Sequence, residues 1–427
     1  MMRWKTSKRN RMKAKRKWLI KQLEKKRKKF QGKKFRMKNM RVDTIITTVM
    51  EDIHRDDEVL KQREENLNKE KVVSQEDDEV LKQREENLNK DKGKKMVSQD
   101  PPMEKEKVVR TTKKIVEAMC SPYNVRAVNL KGKLNKEERE IMYWLMADEE
   151  SEHYEVVYEN DKITLFKIDF HSLAPRTYVR INIIDAWVVF LNHNEKFKSK
   201  ASPSRLFINT TPTIYNITAR RSGWTEAESR ERFCSNLNEF VSKIENFKWE
   251  NYDLIFFPIW AYEHYYIICF NLKMQMMDVI DNSLVSEDLL EKKYEDAPST
   301  LRNFFRTYLG NGVNPSMGRT VKLSKTRYMN MPWQNDTNKV DCGIYVMRHL
   351  ETYMGGPVRN WNSGLTKKGT ESFIKLRARY TEALLIGDTN KKAFETLTMI
   401  KKKFENDSKK GEIDVEKMIR EFEPLVY

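Results

Sequence analysis

Cysteine is scarce in this chain, and its distribution excludes two classes of protein. Cys120, Cys234, Cys269 and Cys342 stand far apart, with no CxxC and no second pair at metal-ligand spacing. Neither a zinc module nor a disulfide framework fits that arrangement. Also absent is an uninterrupted apolar run long enough to span a bilayer, so no membrane association is expected. The N-terminus is charged throughout and lacks an apolar h-region, which argues against a signal peptide. The expected compartment is reducing, nucleus or cytosol, where a free thiol can act as a nucleophile. His153, His171, His193 and His349 have no ligand-spaced partners and read as surface or structural histidines. No metal or organic cofactor is called for.

Acidic residues are almost missing from the first 41 positions. Residues 1–41 hold 20 Lys/Arg against the single acid Glu24, a local balance of +19 in a chain whose total is +18. The remainder is therefore close to neutral, and the basic character belongs to an arm. This arm, disordered or partly helical, suits a polyanion such as nucleic acid, or an import receptor. Its clusters Lys13–Lys17 and Lys25–Lys29 resemble a nuclear localisation signal. Residues 42–115 read as a charged linker carrying a duplication. DDEVLKQREENLNK occurs at Asp56–Lys69 and again at Asp77–Lys90, a period of 21. Two copies are too few to stack a solenoid core, and the leucines hold one seam position without continuous a/d pairing.

Apolar runs and most tryptophans lie beyond, and a folded domain is expected over 116–427. Asn135 precedes an acidic first turn and predicts a helix over Asn135–Met146. IIDAWVVFL over Ile183–Leu191 reads as a buried helix, and TEAE opens another over Thr225–Ile244. The pattern then changes. Leu254–Trp260, His264–Asn271 and Met276–Ile280 are short and rich in β-branched and aromatic residues, as strands are. Helix returns over Cys342–Met354, with Arg348 and Glu351 expected opposite its apolar face. Helices, a sheet and then helices indicate an α+β fold.

The chemistry starts from Asp341-Cys342-Gly343. Cys342 falls in the first turn of a predicted helix, whose N-terminus favours an anion and so a thiolate, the nucleophilic form. A buried structural cysteine is the alternative at this point. His264 opens one strand and Asp281 closes the next. If the strands form an antiparallel hairpin, the two meet at one end of the sheet, where a carboxylate would fix the imidazole tautomer. Gln334, eight residues before Cys342 in MPWQNDTNKVDCG, could aim its amide at a developing oxyanion beside the Cys342 N–H. Cys269 alternates away from His264 and reads as a core thiol.

In the order His–Asp–Gln–Cys, these residues resemble the ubiquitin-like-protein proteases, the Ulp/SENP type of SUMO protease. The resembling segments are PIWAYEHYYIICFNLKMQMMDVIDNS and MPWQNDTNKVDCGIYVMRHLETYM, of which the latter is most similar to plant members. A fainter match is HSLAPRTYVRINIIDAWVVFLN. The resemblance implies a papain-like cysteine protease fold of the Ulp/adenain type, with a central mixed or antiparallel sheet and flanking helices. It also implies cleavage after the Gly-Gly terminus of SUMO or a related modifier. On that basis His264 is the base, Asp281 the orienter, Gln334 the oxyanion donor and Cys342 the nucleophile. Tyr265 stands where the family has a Trp, Tyr178 replaces the upstream Trp, Ile181 replaces an acidic residue, and the oxyanion loop is about two residues longer. An aromatic tunnel built from Tyr178 and Trp260 or Trp333 is the expected substrate contact, with Tyr265 as a further substrate-binding residue. The competing reading, motivated by the arm, is a transposon-derived nucleic-acid-associated protein that keeps a protease-like fold.

Overall fold

In this computed structural model the chain divides into two units, Met1–Val108 and Val109–Tyr427. The structure describes residues 130–424 except 131, 148–151, 200, 219–223, 262, 285, 287–288, 336 and 368–369. The basic arm, the duplicated linker and Cys120 lie outside the described residues.

The described chain opens with helix α1 (Lys136–Met146), a small antiparallel pair β1 (Val156–Glu159) and β2 (Thr164–Phe166), and helix α2 (Ile181–Asn194). Strand β3 (Arg205–Phe207) and helix α3 (Glu226–Ser242) follow, then the three long strands β4 (Leu254–Ala261), β5 (His264–Asn271) and β6 (Met276–Ile280). Helices α4 (Leu290–Tyr294), α5 (Ala297–Tyr308) and α6 (Pro315–Leu323) lead to strand β7 (Lys325–Tyr328). The chain finishes with α7 (Cys342–Thr352), α8 (Thr370–Ile386), α9 (Ala393–Ser408) and α10 (Val415–Glu421).

Strands β3 to β7 form one sheet in sequence order. The inner pairs β4–β5 and β5–β6 are antiparallel, while the edges β3–β4 and β6–β7 are parallel. The sheet is therefore mixed. Both its faces are covered, which explains why β4 and β5 read as near-continuous apolar runs. Along β5, Tyr265, Ile267 and Cys269 face a layer containing α1, α2, α7 and α8, and Tyr266, Ile268 and Phe270 face a second layer built on α3, α5 and α6. Cys269 is fully buried, as the alternation predicts.

Local chemistry sets the helix starts. Asn135 accepts from the Glu138 N–H at 2.8 Å while the Glu138 carboxylate accepts from the Asn135 N–H at 2.7 Å. Thr225 and Glu228 repeat this reciprocal pattern at the start of α3. The Asn135 cap stabilises its helix by about 1 kcal/mol.

Helix α7 departs from the expectation of one exposed face: every residue from Cys342 to Thr352 is buried. Arg348 and Glu351 lie inside and neutralise one another at 2.7 Å, and the Arg348 Nε donates to the Ser363 carbonyl. The Trp187 indole N–H donates to the Met347 carbonyl at 3.0 Å and pins α2 to the same helix. Buried Arg205 on β3 donates to the carbonyls of Leu350, Glu351 and Tyr353. Positive charge at a helix C-terminus complements the dipole, so the frame holding Cys342 is secured at its far end too.

Candidate active site

Antiparallel pairing of β5 with β6 brings the start of one strand to the end of the other. At that open end, His264 Nε2 donates to Asp281 Oδ1 at 2.7 Å. Glu263, just before His264, adopts a positive φ of 61° and turns the chain sharply into β5. Asp281 is 2% exposed and accepts from several further donors. The Ser283 N–H reaches Oδ1 at 2.8 Å, the Tyr294 hydroxyl reaches Oδ2 at 2.9 Å, and the Lys293 ammonium lies 2.6 Å from Oδ2.

Burial alone would raise the Asp281 pKa. The His264 hydrogen bond and charge, together with Lys293, outweigh it and hold the carboxyl at about 2. Burial alone would lower the His264 pKa. Hydrogen bonds to Asp281 and Cys342, and the charges of both, win and hold the imidazole up at about 9. The Nε2 atom already faces Asp281, with Ser283 Oγ 3.3 Å away, so Nδ1 is the nitrogen left for the Cys342 thiol. The structure thus joins His264, Asp281 and Cys342 in one hydrogen-bonded chain.

Cys342 is the first residue of α7 and is buried at 1% exposure. Its neighbour is glycine for a steric reason: a Cβ at Gly343 would come within 2.5 Å of the Val179 Cβ. The three described cysteines, Cys234, Cys269 and Cys342, are all free. Among the described residues, no group of three or more His, Cys, Asp or Glu could hold a metal ion, and no helix is long and apolar enough to cross a membrane.

Two expected placements differ. Gln334 does come back to the site, but its amide is engaged with backbone. Nε2 donates to the Asp281 carbonyl at 2.9 Å and the Ser283 carbonyl at 3.2 Å, while Oε1 accepts from the Met331 N–H at 2.9 Å. Both amide N–H groups are committed, so Gln334 clamps the Asp281 turn instead of aiming at an oxyanion. Trp333 is a core residue, 4% exposed, whose indole N–H donates to the buried His349 Nε2 at 3.0 Å while its ring packs edge-on against Trp361. That buried acceptor draws the indole inward, away from any tunnel. Of the other expected substrate contacts, Tyr178 is 55% exposed, Tyr265 is buried near enough to Cys342 to feel its charge, and Trp260 pairs with Tyr265 across β4–β5. Sequence reasoning missed Lys293, Tyr294 and Ser283, which reach Asp281 only through tertiary placement.

Residues 178–384 match the family model described as "Ulp1 protease family, C-terminal catalytic domain". Over these residues the chain carries a catalytic domain of the Ulp1 protease family. It is a cysteine peptidase domain, and the segment matched holds every residue of the hydrogen-bonded chain just described. Among solved structures, the chain is similar to the yeast Ulp1 C-terminal protease domain in complex with Smt3, the yeast ortholog of SUMO. That match has 15% identity and a TM-score of 0.41, covering 61% of this chain and 98% of the other. It is also similar to the Chaetomium thermophilum Ulp1-like SUMO protease catalytic domain, at 13% identity and a TM-score of 0.41, covering 62% and 95%. No curated protein matches the chain.

Proposed function

We propose that this peptidase hydrolyses the bond after the C-terminal Gly-Gly of SUMO or a related ubiquitin-like modifier, with Cys342 as nucleophile, His264 as base and Asp281 as orienter. The observation that carries the reading is the His264 imidazole, bonded through Nε2 to Asp281 and hydrogen-bonded to Cys342 at the start of α7. With its pKa near 9, His264 holds a proton at neutral pH, and as imidazolium it favours the thiolate form in which Cys342 attacks. The thiolate attacks the carbonyl carbon, and the oxyanion faces the first N–H groups of α7. His264 then delivers its proton to the leaving amine, leaving a thioester. Water, deprotonated by the now neutral imidazole, attacks that thioester, and the thiolate leaves as the imidazolium re-forms. Asp281 holds the ring orientation through both steps.

The test is a panel of electrophilic SUMO, NEDD8 and ubiquitin probes on the full chain. One modifier should label Cys342 in preference to the others. Cys342→Ala should abolish labelling and Cys269→Ala should retain it; labelling that survives Cys342→Ala would refute the assignment. We also propose that residues 1–41 direct the enzyme to the nucleus. Unchanged nuclear accumulation after deletion of Met1–Arg41 would overturn that part alone. A nucleic-acid role for the arm predicts instead salt-sensitive binding that is lost with the same deletion.

A further inference from the structure

A helix that begins with a nucleophile needs the N–H groups of its first turn free. The residue before Cys342 is an aspartate, which at an N-cap ordinarily turns its carboxylate onto those N–H groups. There it would set a negative charge beside the thiolate and occupy the donors an oxyanion requires. Asp341 does not do this. Its backbone sits at φ −91° and ψ 13°, and its side chain makes no capping bond.

Arg377 accounts for the difference. Residing on α8 and 1% exposed, it donates Nε and Nη2 to Asp341 Oδ1 at 3.0 and 2.6 Å. The other carboxylate oxygen accepts from Asn338 Nδ2 at 2.9 Å. The same guanidinium donates Nη1 to the carbonyls of Ser172 and Ala174, at 3.1 and 2.9 Å, and Nη2 to that of Thr177 at 2.7 Å. Those carbonyls belong to the segment running into Tyr178 and Val179, and Val179 is the side chain that touches Gly343. One buried, planar, five-donor group therefore connects the residue before the nucleophile to the segment packed on the residue after it.

We propose that Arg377 is a positioning residue for Cys342. It draws the Asp341 carboxylate off the start of α7, neutralises it, and ties it to the 172–177 segment. The first-turn N–H groups and the positive end of the helix dipole are thereby left to the thiolate and to the developing oxyanion. The other charged and titratable groups around this point are His264 and Tyr265 on β5, Asp281 behind His264, Tyr345 one turn along α7, and Lys339 in the preceding loop. Arg377 bonds to none of these; its charged partner is Asp341. The proposal rests on Cys342 being the nucleophile and is silent on which modifier is cleaved.

The test is the rate of Cys342 alkylation by iodoacetamide against pH in the full chain, with the alkylated peptide identified by mass. Iodoacetamide needs no modifier, so the result does not depend on the substrate assignment. If Cys342 is not alkylated ahead of Cys269 and Cys234, the nucleophile reading fails, which is a different outcome. Arg377→Met strips the partner from Asp341 and should raise the half-maximal pH by about one unit, the size a single nearby unpaired charge produces. At pH values below both midpoints that is a roughly tenfold slower alkylation. Arg377→Met combined with Asp341→Asn should restore the wild-type midpoint, although the three carbonyls still lack their donor. Should Arg377→Met fail to fold, Asp341→Asn alone gives the opposite sign, because Arg377 then stands unpaired near the thiolate and the midpoint falls. An unmoved midpoint in Arg377→Met or Asp341→Asn, or a double variant that stays shifted, would reduce Arg377 to a structural residue and overturn the proposal.

Discussion

Lys293 places its ammonium 2.6 Å from Asp281 Oδ2, the oxygen that His264 does not use. The carboxylate is therefore shared between two cations, and the imidazolium receives only part of its stabilisation. Replacing Lys293 by Met should let His264 keep its proton to higher pH, moving the alkaline limb of kcat/KM upward by about half a unit. Lys293→Arg should leave it in place. A pH–rate profile of the two variants decides the point, and an unmoved limb in Lys293→Met would show that the lysine does not share the carboxylate.

Asp281→Asn removes the anion that holds His264 protonated. The imidazole pKa should fall from about 9 toward its ordinary value near 6.5, with kcat lower by roughly 10³-fold or more, as when a triad loses its orienting carboxylate. Stability follows the same pair. The raised His264 pKa stabilises the native state fully below about 6.5 and loses that contribution as pH rises through about 9. Asp281, held at about 2, stabilises it above about 4 and loses that contribution as pH falls toward 2. Urea midpoints at pH 7 and pH 10 should therefore differ more in the wild type than in Asp281→Asn.

Gln334→Ala should destabilise the fold by on the order of 3 kcal/mol, because its amide satisfies the Asp281, Ser283 and Met331 backbone groups. Gln334→Glu should be at least as harmful, since a carboxylate cannot donate to two carbonyls. Thermal melts at neutral pH check this. A Gln334→Ala protein with wild-type stability and reduced kcat would instead favour a direct role at the oxyanion.

His349 is fully buried, and burial pushes its pKa down to about 3. A histidine kept neutral inside contributes stability above about 6.5 and loses it as the unfolded chain takes up a proton below that pH. His349→Gln retains an acceptor for the Trp333 indole without the titration. Its denaturation midpoint should consequently fall less between pH 7 and pH 5 than that of the wild type. Equal slopes in the two proteins would exclude His349 as the acid-sensitive group.

Much of the frame was legible because its signals are local. Asn135 with Glu138, and Thr225 with Glu228, are caps that a short stretch of sequence contains whole. The β5–β6 hairpin follows from composition and a polar turn, and it put His264 beside Asp281. The edge strands were not legible. Arg205–Phe207 and Lys325–Tyr328 are three and four residues long and owe their conformation to parallel partners distant in sequence. Side-chain destinations were hidden for the same reason. The direction of Trp333 depends on a buried imidazole sixteen residues away, and that of Asp341 on an arginine thirty-six residues away. Periodicity also said that Arg348 and Glu351 face water, because it cannot anticipate two charges that cancel inside.

Strand β7 has a consequence for the company this domain keeps in a crowded cell. It forms one edge of the sheet, runs for only four residues, and carries Lys325 and Arg327 at alternate positions. Arg327 is held by Asp278 and Tyr353, while Lys325 is exposed. An incoming strand would find few backbone groups to pair with and would have to desolvate a cation to reach them. A short, positively charged edge is one of the ways natural sheets avoid recruiting a neighbour. The apolar β5 and β6 lie inside that edge and are covered from an incoming strand on the β7 side.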